Sequence, residues 1–336
     1  MSIFEVRTNL KPYEYPELIA FKDAIRSAYW VHDEFESELI SDVHDYKTVL
    51  TDVERTIVAR TMLAIAQVEV SVKEFWGDVY KHCPKPEIAA VGATFAESEV
   101  RHFDAYSELI ELLGLNDEFI AMAEIGAIAD RIKYLKKYTS GLQNATNQNY
   151  TKSILLFSLF VEHVSLFSQF LIMMAFNRHK GVLKGISNAV EATSKEEQIH
   201  GEFGVKLIAI IRKENPDWFD QSFFDSVLRW CRRAYAAECK ILDWIFADGE
   251  IDFLSRSQVE TFLQDRFNRS LTNIGVKPMF HIDEDVLKQT EWFDEEIFSS
   301  AHVDFFYKRP TSYSKNNKSY SSCLLYTSPS PRDRQK

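Results

Sequence analysis

Apolar residues recur three and four positions apart along most of this chain, the period of a helix with one face turned inward, and no stretch of strict alternation competes with them. The pattern predicts helices over about 51–80, 86–114, 117–138, 151–176, 182–213, 220–247 and 257–273. Local punctuation supports two of the boundaries. Thr51 is followed three residues later by Glu54, the pair that satisfies free amides at a helix start. Pro86 and Gly114 stand where a helix would begin and stop. The expected fold class is all-α, with short connections setting long helices side by side as antiparallel neighbours in a bundle.

Residues 153–176 read SILLFSLFVEHVSLFSQFLIMMAF, long enough to cross a bilayer. Glu162 and His163 interrupt the run near its middle, and a charge at the centre of a spanning helix costs roughly 2.5–3.5 kcal/mol. A buried core helix with a functional inner face is expected, and no membrane partner.

Composition sharpens this picture. Only 11 glycines and 9 prolines interrupt 336 residues, 46% of them apolar, which suits long helices around a large core. A formal charge of −11 speaks against direct nucleic-acid binding, which needs a basic face to displace counterions. Cys83, Cys231, Cys239 and Cys323 form no CxxC pair, so neither a disulfide framework nor a thiolate zinc site is expected. The N-terminal stretch lacks the apolar core of a signal peptide, and the cytoplasm is the expected compartment.

Two of the nine histidines have a glutamate three residues earlier: Glu99 with His102, and Glu197 with His200. Positions i and i+3 share a helix face, so each pair can offer a carboxylate and an imidazole to one ion. Either pair alone is equally well read as a surface contact. What changes the reading is that each follows a carboxylate set in an apolar run. Glu69 in MLAIAQVEVSV lies 30 residues before Glu99, and Glu162 lies 35 before Glu197. Ionised glutamate is seldom buried without a partner, and a shared pair of cations would serve both. Four helices giving one Glu each, two adding His at i+3, is the dimetal carboxylate pattern of ferritin-like bundles. Oxygen donors with two imidazoles and no thiolate suit iron or manganese.

These four segments, above all TFAESEVRHFDAYSELIELLGL, resemble the small radical-generating subunit of class I ribonucleotide reductase in order and spacing over about residues 1–320. The resemblance implies two iron or manganese ions per chain, a homodimer, and an oxidising equivalent passed to a separate large subunit that reduces ribonucleotides to deoxyribonucleotides. The oxidant would be oxygen itself, or superoxide delivered by a flavoprotein activase. In that family a tyrosine four residues after the first metal-binding histidine carries the radical; Tyr106 holds that position. A tryptophan upstream of the first ligand helix is the entry point for radical transfer, and Trp30 in AYWVHDEF matches it. The acidic residue before the second pair, Asp in most relatives and Glu196 here, would link Trp30 to His102. Glu69 stands where the best-known members have Asp. Phe95, Phe103, Leu166 and Phe170 would wall the metals from solvent. Ordinary core packing is equally consistent for those four; a core tyrosine is the alternative for Tyr106, since some members lack it or keep the oxidising equivalent on the metals, and a core or interface aromatic is the alternative for Trp30. A stand-alone ferritin-like oxidase acting on a bound organic substrate, or a metal store, would use the same six ligands.

Beyond Arg309 the sequence turns to PTSYSKNNKSYSS, without periodicity. We therefore expect one domain over 1–305 and a flexible tail over 306–322. The resemblance gives that tail the task of docking on the large subunit, with Tyr313 as transfer tyrosine and Tyr320 second. The ending CLLYTSPSPRDRQK, 323–336, resembles translated sequencing-adapter read-through and is left out of the fold reading. The core pattern starts within the first thirty or so residues, so no extra N-terminal nucleotide-sensing domain is expected.

Overall fold

A computed structural model describes residues 2–70, 72–139 and 145–297. Tyr313, Tyr320 and the segments 306–322 and 323–336 lie outside the described residues.

Two short helices, α1 (Ile19–Ser27) and α2 (Glu36–His44), precede α3 (Asp52–Glu69). Thr51 and Glu54 exchange the expected bonds: Thr51 Oγ1 accepts the Glu54 amide at 3.3 Å, and a Glu54 carboxylate oxygen accepts the Thr51 amide at 2.8 Å. The helix expected over 51–80 does not run on. It stops at Glu69, and α4 (Lys73–Gly77) follows as a separate short element. The break falls in VEVSV, where β-branched side chains crowd the preceding turn and weaken the helix.

The next helix, α5 (Pro86–Leu113), keeps its predicted bounds, with Gly114 closing it at φ 74°. Where one helix was expected over 117–138 there are two, α6 (Asn116–Ala121) and α7 (Gly126–Thr139), separated by a 3-10 turn at Met122–Glu124. The apolar run starts earlier and ends later than expected, as α8 (Asn147–Leu156), a π-helical stretch (Phe157–Ser165) and α9 (Phe167–Lys180). Its mean hydropathy of 1.7 would suit a bilayer, yet the whole apolar window is buried inside the protein. At its far end Lys180 reaches back to Glu54 at 2.6 Å, tying the end of α9 to the start of α3 as antiparallel neighbours.

Helices α10 (Lys184–Glu214), α11 (Gln221–Ile245), α12 (Arg256–Asn273) and α13 (Glu284–Leu287) follow, with a 3-10 turn at Lys288–Thr290 and helical residues 291–297 after them. The long α10 packs on the π-helical stretch, α9 and α2; α5 packs on α1, α3 and α4; α12 covers the π-helical stretch and α9. Among the described residues the only β feature is an isolated bridge between Ile251 and Leu254.

The closest approach sets up the site. A methyl group built on Gly204 would stand 1.8 Å from Ser158 Oγ, and one on Gly201 would stand 2.1 Å from the His163 ring. These glycines let α10 lie directly against the π-helical stretch. Gly204→Ala is expected to destabilise the fold by roughly 3 kcal/mol, the upper end of overpacking costs, read as a fall in the denaturation midpoint. A stability loss under about 0.5 kcal/mol would mean that the two elements separate more easily than this packing implies.

Candidate metal centre

Every predicted ligand lies in one buried cluster. Glu99 and His102 project from α5, and Glu197 and His200 from α10. Glu162 comes from the π-helical stretch, and Glu69 is the last residue of α3. All six are at most 1% exposed. Ligand atoms of Glu99, Glu162, Glu197 and His200 lie within 4.8 Å of one another, and so do those of Glu69, Glu99 and His102. Glu99 belongs to both groups. An overlap of this kind is what two neighbouring cations sharing one carboxylate would need.

The histidines are aimed. His102 Nδ1 stands 3.1 Å from Glu197 and 3.4 Å from Glu99, while its Nε2 lies 2.7 Å from Glu196. His200 Nδ1 stands 3.0 Å from Glu99 and 3.3 Å from Glu197, while its Nε2 lies 3.0 Å from Ser98 Oγ. An outward partner on Nε2 fixes the ring and leaves Nδ1 to face the carboxylates, the orientation that metal-binding imidazoles need. Neither Nδ1 has a hydrogen-bond partner of good geometry, nor have the carboxylate oxygens of Glu99 and Glu197.

Carboxylates buried this close together compete for charge. Burial and the charges of Glu197 and Glu99 hold the Glu162 carboxyl well above the usual range. Burial acts on Glu197 in the same direction, but the close approach of Glu162, His102 and His200 outweighs it and holds the Glu197 carboxyl well below the usual range. Burial opposes the charged form of His200 too, yet Glu99 and Glu197 push it up to about 9. Divalent ions bound here would displace any protons the cluster holds. Four carboxylates also balance two divalent charges, so the donor set fits such a pair. Among the described residues, the ion pairs of Glu99, Glu162 and Glu197 are with the two histidines and with no lysine or arginine.

Trp30 is 4% exposed, and its indole N–H donates to Glu196 at 3.2 Å. The same carboxylate meets His102 and takes both terminal nitrogens of Arg101, at 3.2 and 3.0 Å. A longer Glu in place of Asp thus spans the distance between indole and imidazole. Tyr106 is buried one helical turn beyond His102, beside Thr193; burial and the Glu69 charge keep its phenol protonated.

Three site residues escaped the sequence reading. Trp76 on α4 donates from its indole to Glu162 at 2.6 Å. Ser98 and Arg101 anchor His200 and Glu196. The latter two are neighbours of Glu99 and His102 in sequence, but only the packed helices show which way they point. Phe95 does wall the site, with its ring 4.3 Å from that of His200. Leu166 and Phe170 are buried in the general core. Phe103 is a correction: it is 39% exposed, because Glu99, His102 and Tyr106 take the inner face of α5 and a residue 100° further round turns outward.

The ribonucleotide reductase small-chain family matches residues 7–287, a span that includes all six candidate ligands, Trp30 and Tyr106. The chain belongs to that family. It is 25% identical over 326 residues to a probable ribonucleoside-diphosphate reductase small subunit of Invertebrate iridescent virus 3, covering 92% of this chain and 85% of the relative. Its fold is similar to that of the ribonucleotide reductase R2 subunit from Clostridium botulinum, with TM-score 0.76 at 17% identity, covering 84% of this chain and 89% of the other. The dimanganese(II) protein NrdF of Streptococcus sanguinis is similar at TM-score 0.69 and 15% identity, covering 88% and 100%. The fold is thus the ferritin-like helical bundle of R2 proteins. As a small chain of this family the protein is the radical-generating component of an oxidoreductase, ribonucleoside-diphosphate reductase.

Proposed function

We propose that Glu69, Glu99, His102, Glu162, Glu197 and His200 hold two iron or manganese ions, and that Tyr106 and Trp30 carry the oxidising equivalent away from them. The observation that supports this most is the shared aim of the two Nδ1 atoms at Glu99 and Glu197, with each Nε2 tied outward. When bound, the ions supply one-electron oxidising power.

The protein's own groups manage protons and position. Glu196 accepts from the Trp30 indole and from His102 while Arg101 pairs with it. It is therefore placed to take the indole proton when Trp30 loses an electron, which avoids a bare buried cation. Tyr106 shares the His102 face of α5 and is sealed from water at 1% exposure, which protects a phenoxyl species from solvent. The acceptor of the equivalent is the large catalytic subunit, with a homodimer of this chain as the working unit. The dimanganese relative supports manganese as a candidate metal, for which a flavoprotein activase would supply the oxidant.

Elemental analysis with electron paramagnetic resonance, after aerobic loading with iron and separately with manganese, tests this reading. Two ions per chain and a tyrosyl signal that disappears in Tyr106→Phe are expected. A mixed-valent metal signal indifferent to that substitution would move the equivalent onto the ions, and absence of metal would overturn the proposal.

A further inference from the structure

Glu162 is held by backbone of an unusual kind. In a π-helical stretch the amides bond five residues back, a wide turn that an α-helix would tighten unless something outside it intervened. Three carbonyls of Phe157–Ser165 accept side chains. Phe160 O takes the Ser165 hydroxyl at 2.7 Å. His163 O takes Arg266 Nε at 2.9 Å, and Ser165 O takes an Arg131 terminal nitrogen at 2.6 Å.

Both arginines are core residues, Arg131 at 0% and Arg266 at 4% exposure. Their hydrogen bonds run to backbone carbonyls and glutamine side chains, and each bridges elements that carry predicted ligands. Arg131 also donates to Ala64 O on α3, the helix that ends in Glu69, at 3.0 Å, and to Gln169 at 3.0 Å. Its charge is met by the buried Glu238 at 3.3 Å. Arg266 also donates to the side chain of Gln198, next to Glu197 on α10, at 3.1 Å, and its guanidinium lies 3.7 Å above the Phe167 ring. Buried guanidinium groups are costly to place, and stability alone does not ordinarily call for two beside one nine-residue stretch.

We propose that Arg131 and Arg266 are positioning residues of the metal centre: by donating to Ser165 O and His163 O they hold the wide turn open and so fix where the Glu162 carboxylate stands. This rests on the cluster being the metal site proposed above. Trp76 steadies the carboxylate from one side, and the two arginines steady the backbone that carries it.

The two differ in access. Arg266 lines a surface cavity of about 820 Å³ together with His163, Gln198 and Asn268, whereas Arg131 is sealed in the core. In Arg266→Ala a small guanidinium ion can therefore re-enter the vacated space, and in an Arg131 variant it cannot. Since Arg131 removal strands Glu238, the variant of choice is Arg131→Met combined with Glu238→Leu, which deletes the ion pair as a unit.

The first measurement is hydrogen exchange on metal-free protein. In Arg266→Ala, amides of 157–165 are expected to exchange at least about tenfold faster while α5 and α11 keep their protection. The second is metal affinity by competition titration, expected to fall by roughly 10–100-fold in either variant, as for loss of an outer-sphere partner. Millimolar guanidinium should restore both readings in Arg266→Ala and neither in the Arg131 variant. Unchanged exchange and affinity in folded Arg266→Ala, or faster exchange spread over all helices, would overturn the clamp. A wild-type protein that binds no metal would instead overturn the metal-centre reading, while the exchange data would still report on the clamp by itself.

Discussion

Glu99→Ala is expected to leave a folded protein with almost no bound metal. Glu99 is the one ligand common to both groups of convergent donors, within 3.4 Å of His102 and 3.0 Å of His200. Its loss removes a donor from both positions at once, a larger effect than the roughly 10–100-fold cost of losing an outer partner. Stability should move the other way. One of several mutually repelling buried carboxylates is gone, so the metal-free thermal midpoint should hold or rise. Elemental analysis after gel filtration, beside a melting curve, checks both halves. Retention of two ions per chain would show that the cluster is not the metal site, and a collapsed midpoint would show that Glu99 serves the fold more than the chemistry.

Trp30→Phe should produce the opposite dissociation: metals and radical intact, turnover lost. Phenylalanine fills most of the space against Phe35 and His102, whose rings lie 5.7 and 5.9 Å from that of Trp30. It offers no N–H to Glu196 and is much harder to oxidise than indole. Nucleotide reduction with the large subunit is expected to fall by about three powers of ten, equivalent to about 4 kcal/mol of barrier. The small-subunit metal content and radical signal should stay at wild-type levels. Turnover within about tenfold of wild type would assign Trp30 to core packing and move the exit route elsewhere.

The chemistry was more legible than the backbone that presents it. Two Glu–His pairs at i, i+3, each preceded by a glutamate in an apolar run, could be read because helical periodicity is local and buried charge has few explanations. The start of α3 and the end of α5 were legible for the same reason, since caps act within one turn. What stayed hidden depends on distant packing. Nothing in SILLFSLFVEHVSLF announces a π-helical stretch, which exists because Arg131, Arg266 and α10 meet it from 34 or more residues away. Trp76 was invisible because the chain breaks between Glu69 and α4 and no longer carries it round at helical pitch. Phe103 follows His102 in sequence, and the step of about 100° per residue turns it outward instead of into the wall.

The 34-residue run over Asn147–Lys180 has a consequence for the chain while it is being made. As it leaves the ribosome, α3 and α5 are already available, but α10 and α12, which pack over the π-helical stretch, are still unsynthesised. For that interval the most apolar segment of the protein lacks its cover, the state in which chains aggregate or are mistaken for membrane cargo. The charge that the proposed metal centre asks of Glu162 also marks this nascent segment as a poor substrate for membrane insertion, so the same carboxylate would serve biogenesis as well.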